Sequence, residues 1–354
     1  MPNASPKVTL IATVLNEEKV LPALLGSIGL QTRQPDEVVF VDGGSQDRTV
    51  QLLRDWGSQQ PFPVHVLVRP GSNIASGRNL DIEAASHDVV AVTDAGVTLE
   101  PKWLEALTAP FASPTPPDLV AGLFQGQAEG VFHTAMCATV LPLPSEIREE
   151  SFLPSSRSVA FTKSAWRSVG GYPEWTSYCE DLLFDMALLA ARRRFILAPE
   201  AVVHFPPRRS LPAFWRQYHN YAMGDGQSGL FAKRHLLRYG TYFGAIPALA
   251  WATLAISRWW LLAYVIGAAI YLRHPFQRLA KLTGGQPGQQ RLTAALWVPI
   301  IRVWGDLAKM AGYPLGLARG FMLRGLNETY KAGKLRRPEV SAAERTKIHQ
   351  GGIH

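Results

Sequence analysis

Cysteine is scarce in this chain: two residues, Cys137 and Cys179, in 354. That excludes a disulfide-built scaffold and any four-cysteine zinc centre, and it suits a reducing compartment. Charge is scarce too, at 18% Asp, Glu, Lys and Arg, where about 25% is usual for a soluble domain. No glycine-rich fingerprint follows the first strand-like run, so a Rossmann dehydrogenase lacks its signature; Asn16-Glu17-Glu18 stands there instead. Met1 to Pro6 is polar and short and leads straight into a buried-strand pattern, so no secretory signal is expected. No internal repeat is visible. What the chain does have is apolar content, 47%, which rules out extended disorder over most of its length. At roughly 100–200 residues per domain the length allows about two domains.

Acidic residues thin out along the chain. Residues 1–204 hold 15 Lys and Arg against 23 Asp and Glu, a balance of −8; residues 205–354 hold 21 against 5, a balance of +16. Six of the ten tryptophans lie in the basic part. A basic, tryptophan-rich segment suits nucleic acid or an anionic membrane surface. The positive charges flank apolar runs and no nucleic-acid motif is present, which favours the membrane.

The acidic part alternates strand and helix patterns. Val8 to Val14, Glu37 to Val41, Val64 to Val68 and Asp88 to Thr93 read as buried strands, and helical spacing follows through Leu21–Ile28, Val50–Leu53 and Ile74–Ala85. This predicts an α/β fold with a mainly parallel sheet covered by helices, its ligand beyond the carboxyl ends of the strands. Residues 110–157 are rich in proline, glycine and serine and read as irregular loop with one short strand near Leu119 to Phe124. Val159 to Phe161 and Ile196-Leu197 read as further strands, and a helix is predicted from about Asp181 to Arg193.

From Tyr239 the pattern changes. Thr241 to Ser257 and Trp259 to Leu272 carry no charge over 17 and 14 residues, and Arg258 separates them. As helices they reach about 26 and 21 Å, against a hydrocarbon core of ~30 Å. Each is a short span, a re-entrant hairpin or a buried soluble helix, with Arg258-Trp259-Trp260 resembling an interfacial anchor. Thr293 to Trp304 is a further apolar stretch that suits the membrane interface, and Lys331 to Lys347 is a basic polar tail expected to be mobile.

Several residues can carry chemistry. Asp42 and Asp94 each end a β-branched strand and precede a glycine-containing turn, where they bind ribose hydroxyls or a phosphate-bound metal, or simply form turns. Arg78-Asn79 opens from a polar, glycine-containing segment, and a guanidinium there can clamp a diphosphate. Glu180-Asp181 begins a helix: the helix dipole alone favours carboxylates there, and so does a general base. His204 is a core histidine or, beside a diphosphate, a metal ligand. Arg216 to Gly226 is aromatic and polar at helical spacing and ends in Gly224-Asp225-Gly226, either an amphipathic surface helix or a lid.

The ordered set Asn-Glu-Glu, Val-Asp-Gly-Gly-Ser-x-Asp-x-Thr, Gly-Arg-Asn, Thr-Asp-Ala-Gly, Gly-Gly-Tyr-Pro-Glu, Glu-Asp and Arg-Gln-Tyr…Gly-Asp-Gly resembles family 2 glycosyltransferases of the GT-A fold over about residues 7–230. The hydrophobic segment after it resembles that of membrane-associated members. The resemblance implies a GT-A domain over 1–230, membrane-associated helices over 231–330 and a tail over 331–354. It implies a nucleotide-binding set of Thr13, Leu15, Asn16, Glu17, Asp42, Arg78, Asn79 and Asp94, with Leu15 where many members carry a base-stacking aromatic. Asp94 matches the first acid of the family's Asp-x-Asp, and Gly96 replaces the second, so Mg²⁺ or Mn²⁺ would rest on Asp94 and His204. Asp181 matches the catalytic base and Glu180 its partner in acceptor binding. Arg216, Gln217, Gly224 and Asp225 match the acceptor lid, without its tryptophan. The function implied is inverting transfer from a UDP- or GDP-linked sugar to a hydroxyl of a membrane-associated or lipid-linked acceptor, with the catalytic domain cytoplasmic. The alternatives are a non-catalytic, membrane-anchored sugar-nucleotide binding protein and a nucleotidyltransferase.

Overall fold

The structure is a computed structural model that describes residues 6–149 and 152–322. The order of elements is β1 (Val8–Val14), α1 (Leu21–Gly29), β2 (Glu37–Asp42), α2 (Thr49–Gly57), β3 (Val64–Val68), α3 (Ile74–Ala84), β4 (Val89–Val92), β5 (Thr98–Leu99), α4 (Trp103–Thr108), β6 (Leu119–Gly126), α5 (Gly130–Val140), β7 (Val159–Thr162), α6 (Lys163–Ser168), α7 (Glu180–Ala190) and β8 (Phe195–Phe205). Then follow α8 (Leu211–Gln227), α9 (Ala232–Tyr239), α10 (Ile246–Ala255), α11 (Leu261–Leu282) and α12 (Gly288–Met322). They form two compact units: one holds the sheet and its covering helices, the other holds α5 and the helices after β8.

The eight strands run in the order β3-β2-β1-β4-β7-β6-β8-β5. β3, β2, β1 and β4 are parallel, and β7 pairs antiparallel with both β4 and β6. The near-continuous apolar strands are those a sheet covered on both faces requires. Along β1, Val8, Leu10, Ala12 and Val14 face a core shared with Leu24, Phe40 and Trp103, while Ile11 faces one shared with Val39, Ile82 and Phe184. Chain order reverses between β1 and β4, so the crevice at their carboxyl ends is the switch point where such sheets take ligands.

Residues 110–157 are more ordered than the sequence predicts. They contain β6 in full and the helix α5, whose residues His133 to Thr139 are all buried. A helix buried all round has no polar face, so the 3.6-residue signal is missing. The expected strand Ile196-Leu197 is an eleven-residue strand, its alternation interrupted by the exposed Pro199-Glu200.

In the second unit, α8 ends at Gln227, one residue past the expected stop at Gly224-Asp225-Gly226. Gly226 backs onto α12, where a Cβ would lie 2.3 Å from the Tyr313 carbonyl oxygen; a Cβ on Gly316 would lie 2.1 Å from that of Met223. Thr293 to Trp304 is one part of the 35-residue α12: Ala294, Val298 and Ile301 are buried against α5 and α8, while Leu296, Ile300 and Val303 on its other side are exposed. The first uncharged run is a π-helical turn, Gly240–Ala245, that continues into α10, and the second is the first half of α11; a 3₁₀ turn at Arg258–Trp260 joins them. No helix among the described residues is long and apolar enough to cross a membrane, so of the three readings open from sequence the short span is not supported. The physical reason is the break at Ser257 to Trp260 and the change to Arg273, His274, Arg278 and Lys281 along α11. The basic tail lies outside the described residues.

Candidate active site

Two loops build one wall of the crevice. Asn16 adopts a left-handed conformation (φ 55°), and its side-chain oxygen accepts from the Gln46 N–H at 2.9 Å. The Asn16 N–H donates to Ser45 Oγ and that of Glu17 to Thr49 Oγ1. These bonds fasten the loop after β1 to the loop after β2. Leu15, half exposed, packs beside Gly43 at that junction. Asp42 is fully buried: its Oδ1 accepts from the Gly44 and Ser45 N–H groups at 2.9 and 2.8 Å, and the Ser45 hydroxyl donates to Oδ2. The carboxylate is engaged in shaping its own turn, the plainer of the two roles open to it from sequence.

The centre of the site is Arg78. Asn73 caps α3 by accepting from the Ser76 N–H, and the helix then carries Arg78 beneath the strand ends. Arg78 is 2% exposed. Its Nη1 donates to Glu180 Oε1 at 2.7 Å and its Nη2 to Asp94 Oδ1 at 2.8 Å. The guanidinium carbon lies 5.5 Å from the centre of the Tyr172 ring. Burial opposes its charge, but Asp94 and Glu180 outweigh that and raise its pKa above the ordinary value. Asp94 responds in kind: burial alone would raise it, and Arg78 with Arg157 hold it below the usual carboxylate range.

Glu180 and Asp181 form the first turn of α7, where the dipole favours negative charge. The residue before them, Cys179, is left-handed (φ 63°), a conformation that costs energy without glycine and marks a constrained entry. Glu180 is buried, and burial together with the neighbouring Asp181 charge lifts it to about 7 in spite of Arg78. Asp181 is half-buried, and its Oδ1 accepts from the Leu182 N–H. Four residues on, Asp185 is buried and raised well above its ordinary value by burial and by Asp181.

Asn79 departs from its expected place on the diphosphate side. Its amide nitrogen donates to the Tyr172 carbonyl and to Glu174 Oε1, both at 2.8 Å, and its oxygen accepts from Trp166 Nε1 and the Tyr172 N–H. It is an internal clamp on the Gly170-Gly171-Tyr172-Pro173 turn. Gly171 (φ +83°) is required there: a Cβ would sit 2.8 Å from Asn79 Oδ1. His204, a candidate metal ligand by sequence, lies opposite Thr98 in the sheet, and its Nε2 meets Glu100 Oε1 at 2.5 Å.

Two site residues escape sequence reasoning. Arg157 reaches Asp94 Oδ2 at 3.4 Å and lies over the Phe205 and Phe124 rings. No pattern singles it out, because it lies in a proline- and serine-rich stretch. Asp81, one turn beyond Arg78, is fully buried, accepts from Thr13 Oγ1 at 2.9 Å and leaves Oδ1 without a hydrogen bond. Burial raises its pKa well above the ordinary value against the opposing pull of Thr13 and Arg78. A helical Asp flanked by Leu80 and Ile82 is the signal that was available.

The donor set does not make a protein-built cation cage. Among the described residues no three His, Cys, Asp or Glu side chains gather as metal ligands, Gly96 stands where a second acid would help, and both Asp94 oxygens face guanidinium groups. The lid residues lie in the second unit: Arg216 is exposed, Gln217 donates to the Tyr221 hydroxyl, and Asp225 bonds His235 at 3.1 Å.

Residues 9–166 match the family model for glycosyl transferase family 2, and residues 145–276 that for glycosyl transferase family group 2. Validoxylamine A glucosyltransferase of Streptomyces hygroscopicus subsp. limoneus is 30% identical over 151 residues, which are 41% of this chain and 33% of that one. The chain thus spans about a third of that relative's length. The succinoglycan biosynthesis protein ExoA of Rhizobium meliloti is 26% identical over 299 residues, 77% of this chain and 88% of that one. Mannosyltransferase PcManGT of Pyrobaculum calidifontis, solved with GDP-Man and Mn²⁺, superposes with a TM-score of 0.57 at 20% identity, covering 84% of this chain and 88% of that one, and so shares the fold. The match to glycosyl transferase family 2 thus covers residues 9–166, and the fold is of the GT-A type.

Proposed function

We propose that this chain is an inverting glycosyltransferase that moves a sugar from a nucleotide diphosphosugar, UDP- or GDP-linked, to a hydroxyl of a membrane-associated or lipid-linked acceptor. One observation carries the reading: the buried Arg78 ties Asp94, from the end of β4, to Glu180, from the start of α7, with Asp181 as the next residue. A charged triad at the sheet's switch point, beside a half-buried carboxylate, is what sugar transfer needs.

In this mechanism Asp181 accepts the proton of the acceptor hydroxyl. The acceptor oxygen forms its bond to the anomeric carbon as the bond from that carbon to the diphosphate oxygen breaks on the opposite face. The nucleoside diphosphate leaves with the bonding pair. Arg157, a quarter exposed beside Asp94, is the cation we place against its growing charge. Thr13 and the Asn16–Glu17 loop lie where the nucleoside would rest. Arg78 orients the two carboxylates and touches neither substrate. The scarcity of cysteine, two residues in 354, suits a catalytic unit on the cytoplasmic side of a membrane.

The missing second acid and the absence of a three-donor cluster among the described residues favour one other reading, a membrane-anchored protein that binds sugar nucleotide without turning it over. A single panel separates these readings from nucleotidyl transfer. UDP- and GDP-sugars are incubated with the full chain and a lipid extract, with and without Mg²⁺ or Mn²⁺. Release of nucleoside diphosphate supports sugar transfer. Release of pyrophosphate supports nucleotidyl transfer, and a thermal shift with neither product supports the binding protein.

A further inference from the structure

The second unit has a hairpin that is inverted relative to a water-soluble one. On α11, Leu262, Ile266 and Ile270 form one stripe at helical spacing, and all three are exposed; on α10, Trp251 and Leu254 are exposed as well, Leu254 at 89%. At the turn between them Trp259 is 77% exposed, next to Arg258. The inward side is the polar one. Tyr264 Oη donates to the Ile246 carbonyl at 2.6 Å, and Tyr271 Oη donates to Asp306 Oδ2 at 2.6 Å. Asp306 also accepts from Arg238 Nε at 2.8 Å. The hairpin is thus held in place by hydrogen bonds while its apolar face stays bare. A face of this size is far from normal for a surface in water and marks a partner.

The charge around it says which partner. Between Asp225 and Asp306 lie 80 residues without a single Asp or Glu and with nine Lys and Arg. Apolar side chains in a segment whose own charges are all cationic match a leaflet of anionic lipid, hydrocarbon below and phosphates above. The apolar stretches, Thr241 to Ala255 through the π-helical turn into α10 and Leu261 to Leu272 of α11, are about 22 and 18 Å long as helix, short of a core of ~30 Å.

We propose that the α10–α11 hairpin is a monotopic membrane-docking element that lies in the plane of an anionic leaflet, its outer face sunk roughly 5–10 Å and its arginines at the headgroups. This deepens the acceptor side of the function proposed above. It needs neither donor nor acceptor to be tested, so the two can fail separately.

The full chain is floated on a density gradient with vesicles of phosphatidylcholine alone and of phosphatidylcholine with phosphatidylglycerol. The wild type is expected to float with the anionic vesicles and far less with the neutral ones. The Leu254→Asp, Ile266→Asp, Ile270→Asp variant is expected to partition about 100-fold less. Should that variant misfold, brominated acyl chains serve on the wild type: they are expected to quench tryptophan fluorescence, and less so in Trp259→Phe. Wild type that stays at the bottom with anionic vesicles overturns the proposal. So does equal flotation with both lipids, or a stable dimer that the triple variant splits while lipid is ignored.

Discussion

Replacing Arg78 by methionine tests the site's electrostatics most severely. The side chain is 2% exposed and is hydrogen-bonded to Glu180 and Asp94 at 2.7 and 2.8 Å. Methionine keeps much of the volume and removes the charge. Breaking a buried ion pair by deleting one partner costs about 3–5 kcal/mol, because the other partner is left charged and dry. Asp94 retains Arg157 at 3.4 Å; Glu180 loses the one cation that restrains its pKa. The deficit therefore depends on pH in a defined direction. Glu180 already titrates near 7, raised by burial and by Asp181, and without Arg78 it rises further. A carboxyl raised on folding contributes stability below its unfolded pKa, which is lost as pH rises through the folded value. At pH 5 Glu180 is protonated in the variant and its share of the deficit vanishes; at pH 8 the share is largest. Asp94 keeps Arg157, which still favours its ionised form, so its share depends less on pH. The expected loss of melting temperature at pH 8 is on the order of 6–20 °C, at about 2–4 °C per kcal/mol, and visibly less at pH 5. A second variant, Arg78→Met with Glu180→Gln, should recover part of the pH 8 loss. A deficit below about 1 kcal/mol, or one equal at pH 5 and pH 8, would refute the reasoning.

Three further outcomes are expected. Asn79→Ala removes four hydrogen bonds, three of them buried, and should lower the melting temperature strongly while the folded fraction keeps its KM for the sugar nucleotide; a raised KM at unchanged stability would return Asn79 to the diphosphate. Arg157→Ala should leave stability nearly intact and raise KM for the sugar nucleotide about tenfold or more, measured by initial rates. The kcat/KM profile should show an inflection near pH 7 that Glu180→Gln removes; a profile that keeps it assigns the titration to another group.

Much of this architecture was legible in the residues. The parallel strands are runs of largely apolar residues, and two of them, β2 and β4, run into Asp-containing turns, so β1 to β4 and the positions of Asp42 and Asp94 followed from pattern alone. Glu180-Asp181 at the start of α7 followed from helical spacing. What pattern cannot supply is direction. Asp42 and Asp94 look alike in sequence, yet Asp42 bonds its own turn while Asp94 meets two arginines sixteen and sixty-three positions away. Asn79 follows Arg78 directly, but successive helical residues point about 100° apart, and it faces the Gly171 turn instead. The helix α5 hides because burial on every side erases amphipathicity, and the uncharged runs after Tyr239 mislead because composition reports apolarity without saying whether a helix crosses or lies flat.

Asp181 bears the central claim, and nucleoside diphosphate release by Asp181→Asn measures it most directly. With a donor and acceptor that the wild type uses, the variant is expected to bind donor with unchanged affinity and to turn over about 10²–10⁴-fold more slowly. Turnover equal to the wild type, at equal donor affinity, would contradict it.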